Sequence, residues 1–189
     1  NKKLSELTVK GNRLTMSSAN NTLSLEVADK AFLQKNTAGS LMQNLSRLPG
    51  VGSMDIGSGQ SKPVIRGLGF NRVAVAENGI KHEAQEWGAD HGLEIDQFSV
   101  ERVEVIKGPA SLMYGANAIG GVIDLKQIST PLRNSSGGNI MLHTQTNNQL
   151  LGASGKFHKR FDDFYMKVNG SYSDYSDYRI PADSITYMT

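Results

Sequence analysis

The chain has 189 residues, 38% of them hydrophobic, which suffices for one ordinary domain with a core or for one domain and part of another. Twenty Lys and Arg against 18 Asp and Glu leave a net charge of +2, which argues against a protein that coats nucleic acid. Cysteine is absent, excluding disulfides, thiolate metal sites and a cysteine nucleophile, and no apolar run approaches the roughly 20 residues of a membrane helix.

Leu4 to Gly11 and Leu23 to Val27 alternate apolar with polar residues and predict two short strands. Between Thr37 and Leu48 the period becomes helical. Leu41, Leu45 and Leu48 share one face, Ser40 and Gln43 form a capping-box pattern, and Pro49-Gly50 ends the run. The glycine-rich stretch Val51 to Gln60 reads as a mobile loop, followed by a strand at Pro63 to Arg66. A further strand, Arg72 to Ala76, runs into Asn78-Gly79, a tight-turn signal. After a long polar segment, Lys81 to Asp96, the pattern predicts a strand at Val100 to Ile106, a helical turn at Pro109 to Tyr114 and a strand at Val122 to Leu125.

These elements predict a compact mixed domain over residues 1–128, joined by a Pro, Ser and Gly linker at 129–138 to a different kind of segment at 139–189. There Ile140, Leu142 and Thr144 alternate with Met141, His143 and Gln145, and Leu151, Ala153 and Phe157 alternate with Gly152, Ser154 and His158. Met166 and Val168 alternate in the same way with Lys167 and Asn169, and Asn147-Asn148 and Asp162-Asp163 mark turns between the runs. Segments of about ten residues with one apolar and one polar face suit a transmembrane β-barrel, and equally any two-faced antiparallel sheet. A barrel needs at least about eight strands, so here it would be incomplete.

Several glycine motifs lead nowhere. No Gly-Lys-Ser/Thr follows the glycines of 108–121 as a phosphate loop requires, and Gly67-Leu-Gly69 is followed by Arg72 where a dinucleotide fingerprint needs glycine. No nucleophile-elbow pattern appears with a credible partner order, so an enzyme is not expected.

Residues 101–125, ERVEVIKGPASLMYGANAIGGVIDL, resemble the hallmark of the plug domain of TonB-dependent outer-membrane receptors. The helix Leu41 to Val51, the strand Val64-Ile-Arg-Gly67 and the segment Arg72 to Gly79 match that family in order and spacing, and residues 139–189 resemble its first barrel strands. The resemblance implies an α+β architecture: a mixed-sheet plug with short helices, followed by antiparallel strands of a truncated transmembrane barrel. It implies a transport receptor in the outer membrane of a Gram-negative bacterium, which gates uptake of a scarce metal ion or metal complex such as a siderophore, haem or zinc. The alternative is a soluble β-rich binding or adhesion module at the cell surface. Partners implied are the TonB energy-transducing complex, the protein's own missing barrel, a small cargo and the membrane; nucleic acid is not expected. Leu4 to Gly11 is similar to the TonB box, with Glu6, Leu7, Thr8 and Val9 as contacts, or is an ordinary first plug strand.

In the outward loop of the family, His82, Glu83, Glu86, Asp90 and His91 form a nitrogen and oxygen set suited to zinc or another borderline divalent metal. The bland reading is a solvated polar loop anchored by Trp87. Arg66, Arg72 and Trp87 are candidates for cargo contact, the arginines for an anionic siderophore or a haem propionate. Gly67, Gly108, Pro109, Tyr114, Gly115, Gly120 and Gly121 are assigned structural roles, with Gly108, Gly115, Gly120 and Gly121 permitting turns with positive φ and close packing against the barrel wall. No resident cofactor is expected, and a divalent ion would enter as cargo.

Overall fold

The computed structural model describes residues 24–83, 91–93, 95–127 and 130–176. The strand expected at Leu4 to Gly11 lies outside them. β1 (Ser24–Ala28) leads into α1 (Lys30–Lys35), where the Asp29 carboxylate caps the first turn by accepting from Phe32 N at 2.8 Å. The helix expected across Thr37 to Leu48 is shorter, α2 (Leu41–Leu45), but its cap is as anticipated: Ser40 Oγ accepts from Gln43 N at 3.2 Å. Leu41, Leu45 and Leu48 are all buried.

The expected mobile loop at Val51 to Gln60 is a correction. Its first half is β2 (Val51–Asp55), paired antiparallel with β3 (Ser61–Ile65). Pairing overrides glycine here, because Val51 is drawn into the core and the ladder from Val51↔Ile65 to Asp55↔Ser61 satisfies the backbone. Pro63 sits inside β3 without cost to a ladder because β4 (Leu68–Gly69) covers only Val64 and Ile65, leaving Pro63 bare on that side.

β5 (Val73–Glu77) and β6 (Ile80–Lys81) form a hairpin whose turn residues Asn78 and Gly79 have φ of 53° and 87°, the two left-handed positions of a type I′ turn. β7 (Val100–Lys107), a 3-10 turn at Pro109–Tyr114 and β8 (Gly121–Gln127) complete the first domain. One five-stranded sheet runs in the order β1, β7, β8, β5, β6; all its pairings are antiparallel except β5 with β8. One face carries Ala28, Val103, Val105, Ile123, Leu125, Val73 and Val75 against Leu33 of α1 and Leu41, Met42 and Leu45 of α2. The other carries Ala74, Ala76, Val122 and Ile106 against Ala118 and Tyr114 of the 3-10 segment.

Three long strands follow: β9 (Ser136–Gln145), β10 (Leu150–Arg160) and β11 (Tyr165–Asp174), an antiparallel meander with β10 in the middle. β9 begins inside the stretch read as a linker. Cross-strand register sets Leu142 beside Ala153 and Tyr172, and Phe157 beside Val168, on the face turned away from the first domain. There Ile140 is 82% exposed and Leu142 77%. The opposite face, with Met141, His143, Ser154 and Lys156, is polar and lies against the first domain. An apolar outer face and a polar inner one reverse the pattern of a sheet in a water-soluble protein and match a membrane-spanning barrel wall. Among the described residues the barrel is not closed, and no helix is long and apolar enough to cross a membrane.

Candidate functional site

Residues 108–121 adopt their shape through glycine. Gly108 leaves β7 at φ +85°, Pro109 starts the 3-10 turn, and Gly115 ends it at φ +104°. The hydroxyl of Ser111, fully buried, shares its single proton between the carbonyls of Gly108 at 2.8 Å and Ala118 at 2.5 Å and so closes the segment on itself. At Gly120 a Cβ would stand 2.8 Å from the Arg72 carbonyl oxygen and 2.9 Å from Leu68 Cβ, and at Gly121 one would stand 2.8 Å from Ile65 Cδ1. This close packing is against the first domain's own β3–β4 hairpin and the turn after it.

Tyr114 turns its ring toward the sheet, with its hydroxyl 3.4 Å from Asp124 Oδ2. Burial, and then the negative charge of Asp124 and its hydrogen bond, push the phenol above its usual range and keep it protonated. Asp124 and Glu104 are buried opposite each other on β8 and β7. Lys126 lies 2.5 Å from Asp124 Oδ2 and 4.0 Å from Glu104 Oε2, and Arg102 lies 2.7 Å from Glu104.

Arg66 and Gly67 form the two-residue turn of the β3–β4 hairpin, at φ 50° and 80°. The Arg66 guanidinium donates to Ser24 Oγ at 3.1 Å and passes beside Gly50 and Gly108. Buried Lys107 lies beside the same Gly50, held by the Pro49 carbonyl at 2.8 Å and Glu26 at 3.3 Å. The Arg72 side chain is exposed while its carbonyl accepts from Gly120 N at 2.6 Å. Sequence reading missed Lys62, which is buried in β3 with its ammonium 5.1 Å from the centre of the Phe70 ring.

Of the candidate metal set, His82 and Glu83 are exposed just after β6, where His82 N donates to the Val75 carbonyl and Glu83 accepts from Lys81 at 3.1 Å. His91 is half-buried at the far foot of the loop, which Leu93 N stitches to the Ser61 carbonyl at 3.0 Å. Glu86, Trp87 and Asp90 lie outside the described residues, as do Glu6, Leu7, Thr8 and Val9. Among the described residues, no three His, Asp or Glu side chains are grouped to hold a metal ion.

The first domain docks on the three-stranded sheet through two aromatic contacts. Phe98, in the turn before β7, stacks at a tilt on His143 of β9, 4.6 Å between ring centres. Tyr175, just after β11, donates its hydroxyl to the Gly39 carbonyl at 3.1 Å. A plug domain seated against a wall is thus complete in outline. The family model of the TonB-dependent Receptor Plug Domain matches residues 17–122, more than half of the chain.

The chain belongs to the TonB-dependent receptors. The members of this family are outer-membrane transport receptors of Gram-negative bacteria, not enzymes, which supports the transport reading and not the soluble binding or adhesion module. The vitamin B12 transporter BtuB of Vibrio vulnificus strain YJ016 is 34% identical over 123 residues, covering 64% of this chain and 20% of the transporter. That of strain CMCP6 is 35% identical over 136 residues, covering 71% of this chain and 22% of the transporter. The chain thus spans about a fifth of the length of these relatives. Among solved structures, a mutant of the ferric enterobactin receptor PfeA of Pseudomonas aeruginosa aligns with a TM-score of 0.67 at 20% identity, covering 84% of this chain and 26% of the receptor. The copper transporter OprC aligns with a TM-score of 0.67 at 21% identity, covering 82% and 24%. Both share the fold of the plug and its adjoining strands.

Proposed function

We propose that this chain is the plug and leading wall of an energy-coupled receptor that gates uptake of a scarce metal ion or metal complex across the outer membrane. The observation that carries the reading is the pairing of a plug with a wall whose polar face lies inward and whose apolar stripe lies outward. Such a wall serves as a lining for solute on one side and a lipid contact on the other. Relatives that carry vitamin B12, ferric enterobactin and copper support cargo of this class.

In this reading the loop around His82 and His91, with Glu83, Glu86 and Asp90, captures the metal, and exposed Arg72 meets an anionic chelate with Trp87 alongside. Arg66, engaged with Ser24, is the weaker of the two arginine candidates. The TonB complex would grip Glu6 to Val9 by strand addition, which needs only an extended segment because main-chain hydrogen bonds supply the affinity.

The test is the elemental content of metal-starved cells with and without the full-length receptor, and with a His82→Ala, His91→Ala variant. Zinc or another free divalent ion rising only with the unaltered receptor supports capture by the loop. Iron or cobalt rising equally with the variant assigns the cargo to a complex read elsewhere. No rise of any element removes the metal reading.

A further inference from the structure

Tyr175 occupies a particular place between wall and plug. Its backbone belongs to the wall: it follows β11 directly, and Ser176 N donates to the carbonyl of buried Asn148 in the β9–β10 turn at 3.0 Å. Its side chain belongs to the plug. The ring lies flat enough on Gly59 that a Cβ there would stand 2.8 Å from the ring, and the hydroxyl donates to the Gly39 carbonyl. Gly39 in turn is pressed against the Ser58 carbonyl and Ser40 is bonded to Ser61, so Tyr175 rests on two turns, the one before α2 and the one joining β2 to β3, that already meet each other.

Behind the ring is a cavity of about 200 Å³ between plug and wall. Its polar lining comes from Ser40, Ser61 and Asp96 on the plug and from Ser171, Ser173 and Tyr175 on the wall. Leu41, Met42, Leu93, Ile95 and Phe98 of the plug also line it, but where hydroxyls and a carboxylate meet, contacts exchange for water at little cost, whereas stripping a packed aromatic ring from its seat does not. Resistance to separation therefore lies with the packed rings, Tyr175 here and Phe98 against His143.

We propose that Tyr175 is a wall-borne latch that positions the two plug turns and closes this cavity, so that its release is the step at which plug and wall part. The proposal rests on the receptor reading above. In the full-length receptor, hydrogen exchange would be followed at Ile56, whose amide is bonded to the Gln60 carbonyl, and at Gln43, whose amide is bonded to Ser40. Val103 to Val105 in the central sheet serve as reference.

Tyr175→Phe, which keeps the ring and loses the hydroxyl bond, should speed exchange at Ile56 and Gln43 by about tenfold, and Tyr175→Ala by more, with the reference amides unmoved. Gly59→Ala, which pushes on the ring from the plug side, should resemble Tyr175→Phe. Cells carrying Tyr175→Ala should also admit a glycopeptide antibiotic too large for porins. Equal exchange in all four proteins, or an equal rise in the reference amides, overturns the latch. These readouts need no cargo, so a failure of metal uptake would remove the metal reading and leave the latch standing on its own result.

Discussion

Glu104 and Asp124 face each other across β7 and β8 with both carboxylates buried, an arrangement tolerable only because Lys126 reaches both and Arg102 reaches one. Removing a partner from a buried ion pair leaves an uncompensated charge, and the loss exceeds whatever the pair contributed. Lys126→Met should therefore destabilise the chain by about 3 kcal/mol in equilibrium unfolding, and Asp124→Asn in the same background should recover most of it. Asn at 124 still presents an oxygen to Gly79 N, which now donates to Asp124 Oδ1 at 2.9 Å. Tyr114 adds a pH dependence of known sign. Its folded-state pKa is raised by burial and by Asp124 above the unfolded value, so its contribution is fully present below about pH 10 and is lost as pH climbs through the raised value. The stability difference between the parent chain and Tyr114→Phe should shrink above about pH 10; a difference that grows there would contradict the assignment.

At the scale of elements, α2 and the 108–121 segment show two ways of holding a short piece of backbone. α2 has only five residues, too few to persist by propensity, and stands because Leu41, Met42 and Leu45 are buried in the core. Leu45→Ala should cost about 2–5 kcal/mol in the same unfolding measurement. The 108–121 segment is held by close approach rather than by apolar mass. Gly120→Val would drive a branched side chain into the Arg72 carbonyl and Leu68, with a loss of roughly 1–3 kcal/mol or more, and hydrogen exchange should rise at Ala118, whose amide bonds the Gly115 carbonyl in the same segment. Much of this scale was readable in advance. Ser40 and Gln43 announced the helix start, Asn78-Gly79 announced a tight turn, and the leucine spacing announced the buried face. α1 was not, although Asp29 is a good cap, because its six residues bury only Leu33 and offer no period to count. β2 was hidden for another reason: its glycine and serine argue for a loop locally, and only the partner β3 makes it a strand.

For the whole molecule, the wall is what turns a small α+β domain into part of a receptor. In the proposed receptor its outer stripe meets lipid, so Leu142→Arg should reduce the amount of full-length receptor assembled in the outer membrane, with a cost of about 2–4 kcal/mol near the bilayer midplane. Asn169→Arg, on the inner face, should assemble normally; equal loss for both would mean that the faces are misassigned. The sequence by itself determined these faces, since a period of two in side-chain direction is a property of any strand and needs no partner to be read. It also carried the resemblance to the plug family, in residues 101–125. Tertiary structure alone decided which strands became neighbours. β5 and β8 lie parallel with 43 residues between them, and β1 pairs with β7 from the far side of the domain. Tertiary structure likewise decided that Glu104 would face Asp124 and that Tyr175 would close on Gly39, 136 residues away. Contacts of that separation depend on how the elements pack in space, and no local pattern of residues encodes them.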